Sequence, residues 1–148
     1  MHCEITSIIG DCENNRLMVA LGEGIMDYYE YDNRAKLRRL TSLSIPDSFS
    51  IQVMLMNREK NYFFAAGFDS GSIYIFDLPK PGQDKLMKQV GTLKNKEGII
   101  SMHFLVEKME LIVATQSGEI FFWDCLKGKQ ICKISDYLDM LKPFEEGA

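Results

Sequence analysis

The sequence predicts an all-β fold built from three copies of one four-stranded antiparallel unit, and three observations carry that prediction. Gly24, Gly71 and Gly118 stand at a constant interval of 47 residues. Each glycine lies between two apolar runs of strand length, and each such pair is bracketed by a further strand-like segment on either side. Self-similarity at this period marks a repeat architecture, in which function belongs to a surface formed by stacked units.

The central pair of strands in each unit is the clearest element. Leu17 to Leu21 and Ile25 to Tyr31 form the first pair, Tyr62 to Phe68 and Ser72 to Phe76 the second, Leu111 to Thr115 and Glu119 to Trp123 the third. Two apolar runs joined by a short polar-glycine link read as a β-hairpin. The links are Glu23-Gly24, Ser70-Gly71 and Ser117-Gly118, with glycine expected to supply the positive φ of each turn. The strands are apolar at nearly every residue, as in Ile73-Tyr74-Ile75-Phe76 and Ile120-Phe121-Phe122-Trp123, so both their faces should be covered. The preceding segments alternate: Ile51, Val53 and Leu55 with Gln52 and Met54, then Ile100, Met102 and Phe104 with Ser101 and His103. That is the pattern of a strand with one wetter face. A weaker apolar segment closes each unit, at Leu37 to Ser44, Leu86 to Leu93 and Gln130 to Ile134. Four short strands with the inner two covered suit radially packed blades.

The segments Ala66 to Asp77 and Ala114 to Asp124 resemble the second half of a tryptophan-aspartate (WD) repeat. Trp123-Asp124 matches the signature dipeptide, Phe76-Asp77 differs from it by one residue, and Tyr29-Glu30 is the pair in register in the first unit. The resemblance covers residues 1–134 as three divergent repeats, about 4–43, 49–93 and 98–134. It implies a β-propeller that serves as a binding platform without catalysis of its own. Gly24, Gly71, Asp77, Gly118, Trp123 and Asp124 are the residues that define the repeats.

A typical repeat of that family also carries a Gly-His pair before its first strand and an Asp in the hairpin turn, joined with a Ser or Thr and the Trp in a buried polar network. Neither Ser44 to Phe49 nor Lys94 to Gly98 contains Gly-His, and Ser70 and Ser117 hold the turn position. The blades are therefore expected to be held by apolar packing.

Composition narrows the function classes. With 46% hydrophobic and 26% charged residues the chain is an ordinary globular one. No apolar run is long enough for a membrane-spanning helix, the start Met1-His2-Cys3-Glu4 lacks a signal-peptide pattern, and no Asn-x-Ser/Thr acceptor occurs. Cys3, Cys12, Cys125 and Cys132 show no Cys-x-x-Cys spacing, which fits free thiols in a reducing, cytoplasmic compartment. A net charge of −4 argues against a basic nucleic-acid surface. Protein partners are the remaining expectation.

Length sharpens it. Propellers usually close with four to eight blades, and three repeats fill nearly all of the 148 residues. An arc of three blades leaves an uncovered face at each end, above the apolar area an ordinary monomer exposes. Completion by a second copy, by another protein or by missing sequence is expected; Met1 stands so close to the first strand that the chain reads as a fragment or short isoform. The tail, residues 135–148, fits no repeat. Asp136, Tyr137, Leu138, Leu141 and Pro143 outline a short helix with a cap and a stop, either docking on a partner or lying over the last blade.

No catalytic, metal or cofactor site emerges. Gly67-Phe68-Asp69-Ser70-Gly71 places its serine one position late for a nucleophile elbow, and Gly22-Glu23-Gly24 is followed by Asp27 where a dinucleotide loop needs glycine. His103 is expected to face a wet central channel, without a Ser or Cys partner fixed by sequence. Cys125 and Cys132 flank a turn and are expected to face each other across a strand pair, where packing is favoured over a metal. Leu37-Arg38-Arg39 resembles the Phe/Leu-Arg-Arg-Gly motif of phosphoinositide-binding propellers, with Leu40 replacing the glycine, and makes Arg38 and Arg39 weak candidates for lipid contact; a solvated outer strand is the alternative. The leading expectation is a non-catalytic scaffold for protein assembly, ahead of a lipid head-group reader and of an enzyme using His103.

Overall fold

The computed structural model describes residues 4–47, 49–80 and 87–134. The expected C-terminal helix lies outside them, as do His2 and Cys3. Among the described residues, twelve strands form three four-stranded antiparallel sheets in simple sequence order. Blade one holds β1 (Ile5–Asp11), β2 (Arg16–Leu21), β3 (Ile25–Tyr31) and β4 (Leu37–Ser44). Blade two holds β5 (Val53–Asn57), β6 (Tyr62–Gly67), β7 (Ser70–Asp77) and β8 (Lys88–Lys94). Blade three holds β9 (Ile99–Leu105), β10 (Glu110–Thr115), β11 (Ile120–Asp124) and β12 (Lys129–Lys133). The first strand of blade two packs on the first strands of both neighbours, so β1, β5 and β9 are innermost and the exposed β4, β8 and β12 lie at the rim.

The core is two apolar layers, one on each side of blade two. Strand alternation divides that blade's residues between them. Phe63, Ala65, Tyr74 and Phe76 pack against Met18, Ala20, Met26 and Tyr28 of blade one. Phe64, Ala66, Ile73 and Ile75 pack against Phe104, Leu111, Val113 and Trp123 of blade three. Blade two therefore has both faces covered, as an unbroken apolar strand requires. Blade three does not: Leu111 and Val113 are buried while Ile112, Ala114, Ile120 and Phe122 are only partly so. Its hairpin has the composition of a covered sheet and one open face.

Two local readings are corrected. In blade two the hairpin turn falls on Phe68-Asp69, with Gly67 paired to Ser70, and Gly71 is not among the positive-φ residues. Gly71 is instead a close-approach glycine: a Cβ there would collide with the Asn95 backbone carbonyl. Gly24 and Gly118 do take positive φ, 76° and 83°. In blade three Ile100 lies at a bulge between the pairs Ser101↔Ala114 and Ile99↔Thr115. The extra residue turns Ile99 inward and leaves Ile100 exposed, which reverses the expected alternation at that end of β9.

A second bulge recurs in every blade. The pairing of third and fourth strands shifts between Tyr28 and Tyr29, between Ile75 and Phe76, and between Phe122 and Trp123, and the extra residues are Leu40, Val90 and Ile131. The shift points on the third strand repeat at the 47-residue interval, whereas the extra residues on the fourth strand do not. Bulges bend and twist the outer strand, which keeps each rim strand short and blunts its free edge.

Candidate interaction faces and the bonds between blades

Polar side chains tie neighbouring blades together at the linkers. Between blades one and two, the Tyr74 hydroxyl donates to Asp47 Oδ2 at 2.6 Å. Burial and that hydrogen bond to a carboxylate raise the phenol to about 12. Between blades two and three, Trp123 Nε1 donates to Asn95 Oδ1 at 3.0 Å, and Asn95 Nδ2 donates to Gly71 O at 3.1 Å. Asn95 thus joins the WD tryptophan of blade three to the hairpin of blade two. Apolar layers hold the blades, and polar bonds add to them: each linker supplies one polar group to the third strand of the blade that follows.

A further link crosses the other end of the first interface. Arg58, in the turn after β5, donates through Nε to Asp11 Oδ2, through Nη1 to Pro79 O at 2.7 Å and through Nη2 to the Tyr28 hydroxyl at 2.6 Å. Asn14 Nδ2 also reaches Asp11 Oδ2, at 2.9 Å. Burial pushes the Asp11 carboxyl up, but the hydrogen bonds from Asn14 and Arg58 and the guanidinium charge outweigh it and hold the group below its ordinary value. Burial raises the Tyr28 phenol despite the cations beside it. Register sets Asn57 of blade two and Leu105 of blade three at the place of Asp11, and Val106 of blade three at the place of Arg58.

The repeat-defining residues differ in what they do. Asp124 shapes the turn after β11: its Oδ1 accepts from Leu126 N at 2.9 Å and Lys127 N at 3.0 Å, the side-chain bond by which Asp nucleates a turn. Asp77 is exposed at the end of β7 opposite Lys88. Trp123 is buried in the layer between blades two and three.

Arg38 and Arg39 do not converge. The register sets Arg38 opposite Glu30 and Arg39 opposite Tyr29, and adjacent strand residues point to opposite faces. Arg38 pairs with Glu30 at 3.5 Å, and Glu30 is shared with Arg16 at 3.1 Å. His103, expected to face the channel, is exposed on the outward face of blade three opposite Ile112. Cys132 lies on that same face opposite Phe122, whereas Cys125 packs at the edge of the second core layer. The two cysteines therefore do not face each other. Burial, with Asp124 and Glu110 adding to it, pushes the Cys125 thiol up to about 12.

Two surfaces remain as candidate sites of function. One is a cleft of about 430 Å³ beside the second linker, lined among others by Lys94, Lys96, Glu97, Glu119, Phe121 and Lys133. Its charges answer one another: Lys133 bonds Glu119 at 2.9 Å and lies over the Phe121 ring. The other is the pair of outward sheet faces. Blade one presents Ile5 at 67% and Ile8 at 63% exposure, and in blade three the bulge residues Ile100 and Ile131 are about half exposed. Sequence reasoning missed Asp47, Asn95 and Arg58. The usable signal was spacing, since Asp47 precedes Tyr74 by 27 residues and Asn95 precedes Trp123 by 28.

No family model matches the sequence, and no curated protein matches it. Solved structures do match in shape. A crystal structure of RRP9 WD40 repeats aligns with TM-score 0.71 at 11% identity, over 90% of this chain and 39% of that one. The Cps50 (Swd1) β-propeller domain of Myceliophteria thermophila aligns with TM-score 0.73 at 13% identity, over 88% of this chain and 41% of that one. A chain in a crystal structure of the mitotic checkpoint complex aligns with TM-score 0.68 at 17% identity, over 88% of this chain and 37% of that one. The three blades span well under half the length of each of these matches. The fold is that of a WD40 β-propeller, represented in this sequence by an open set of three blades.

Proposed function

We propose that this chain is a non-catalytic WD-repeat-like scaffold for protein–protein assembly, and that its blades are completed by another chain or by missing sequence. One observation carries the reading: blade two has a sheet packed on both faces and the end blades have one on a single face, with Ile5, Ile8, Ile100 and Ile131 exposed in them. Apolar faces of this kind mark interaction surfaces. A structural neighbour taken from a complex supports the same kind of role. The cysteines at 12, 125 and 132 are free, which supports an intracellular setting.

The test is mass measurement across a concentration series, with an exposed-apolar dye as second readout. Concentration-dependent association or strong dye binding by the isolated chain is expected. A monomer at micromolar concentration without dye binding overturns the reading.

A further inference from the structure

The rim strand of blade one, β4, carries a run that the packing of blades does not use: Leu37-Arg38-Arg39-Leu40-Thr41-Ser42. Two hydroxyls follow two arginines, and pairing with β3 sorts them. Leu37 stands opposite Tyr31, Arg39 opposite Tyr29 and Ser42 opposite Asp27. Positions 31, 29 and 27 alternate along β3, so Leu37, Arg39 and Ser42 share one face of the sheet. It is the face turned away from blade two, because Met26 and Tyr28 on the other side of β3 lie in the core layer that blade two shares. Arg38 and Thr41, opposite Glu30 and Tyr28, belong to that inner side.

The bulge at Leu40 makes this alignment. Arg39 and Ser42 are three residues apart, and in an unbroken strand an odd interval sets two side chains on opposite faces. The extra residue cancels the odd step. Leu37 is 54% exposed, and Arg39 and Ser42 are exposed with it. Arg39 makes no ion pair among the described residues, whereas Arg38 is held by Glu30 at 3.5 Å and Thr41 is half-buried. Among the described residues β4 ends its sheet, so no strand covers its outer edge.

An accessible serine with an unpaired guanidinium three residues before it and an exposed apolar side chain five before it presents what a basic-directed protein kinase reads. Such a kinase offers acidic groups to the arginine and an apolar pocket to the other side chain. We infer that Ser42 is a phosphorylation site for a kinase of this class, and that a phosphate there opposes Asp27 across the strand pair and loosens the rim of blade one. Ser42 Oγ attacks the γ-phosphorus of the kinase's nucleoside triphosphate, and the new O–P bond forms as the bond from that phosphorus to the β–γ bridging oxygen breaks. The nucleoside diphosphate leaves, and the hydroxyl proton passes to the kinase's base.

The product carries a charge of about −2. Directly opposite residues of a strand pair have their Cβ atoms about 5 Å apart, and Asp27 is buried, with Oδ1 lacking a hydrogen-bond partner among the described residues. A buried acid is poorly screened by salt, so like charge beside it weakens the pairing of β3 with β4. Arg39 stands two pairs along, about 7 Å away on the strand axis. It offsets the repulsion only in part.

The test incubates the folded full chain with ATP, Mg²⁺ and the catalytic domain of a calmodulin-dependent protein kinase, and maps the phosphate by mass spectrometry. Phosphate at Ser42 is expected, absent in Ser42→Ala, with the rate lowered about tenfold or more in Arg39→Ala and hardly changed in Arg38→Ala. A synthetic peptide of residues 34–46 should be modified at Thr41 as well, since strand pairing is what turns Thr41 inward. No phosphate at Ser42, phosphate at Thr41 of the folded chain, an equal loss in Arg38→Ala, or modification of the peptide without the folded chain overturns the inference. The phosphorylated chain should melt about 2–4 °C below the unmodified one, and Asp27→Asn should remove most of that difference. A melting temperature that the phosphate leaves unchanged, or lowers as much in Asp27→Asn, overturns the opposition to Asp27.

Discussion

Blade two and blade three have nearly the same sequence pattern and different surroundings. Phe64 of blade two is fully buried between sheets, whereas Phe122 of blade three lies on an open face. Both belong to apolar hairpin strands, and nothing in their immediate sequence distinguishes them. Burial in a repeat protein is thus a property of having a neighbour, since each unit buries its faces only by stacking.

Mutation should expose that difference most strongly in the core. Phe64→Ala is expected to destabilise the chain by about 3–5 kcal/mol, and Phe122→Ala by under about 1 kcal/mol, as measured by urea denaturation of the two variants side by side. Equal losses would break the comparison and show that the outward face of blade three is already covered.

The polar seam comes next. Arg58→Met leaves Asp11 buried with only Asn14 as a side-chain donor, and should cost about 3 kcal/mol. Because the folded Asp11 carboxyl is held below its unfolded value, its contribution is complete above about pH 4 and is lost as the pH falls through the folded value. Acid titration of stability should therefore flatten in Arg58→Met.

Glycine substitution separates two turns that look alike in sequence. Gly71→Ala drives a Cβ into the Asn95 carbonyl, while Gly118→Ala enters open space and incurs only the strain of a positive φ. The expected losses are about 3 kcal/mol or more for the first and about 1 kcal/mol for the second, read from thermal melts. Smallest is Asn95→Ala, at about 1 kcal/mol for the indole hydrogen bond, with Trp123 fluorescence shifting as its N–H loses its partner.

How much of this was legible in the sequence depends on the range of the interaction concerned. The apolar runs that became β6, β7, β10 and β11 are local and placed those strands within a residue or two. The hairpin of blade two was misplaced because Gly71 is demanded by a contact with Asn95, 24 residues away, and not by its own turn. Leu40, Val90 and Ile131 gave no sign of being bulges, since a bulge exists only in the pairing of two strands. Asp27 reads as one acidic residue among tyrosines; its burial and its bond to the Tyr29 hydroxyl become visible only once strand pairing is known.

The Asp11–Arg58 link has a consequence for assembly. Three similar blades joined by similar linkers run the risk of docking in the wrong order or exchanging places with those of another copy, a characteristic failure of repeat proteins. The bond needs an acid at the end of one blade's first strand and a base in the turn after the next blade's first strand, and the second interface has Asn57 and Val106 at those places. Asp11 with Arg58 at the first step and neither charge at the second make the two steps distinct. The seam works as a serial number for the blades, and it fixes which one comes first.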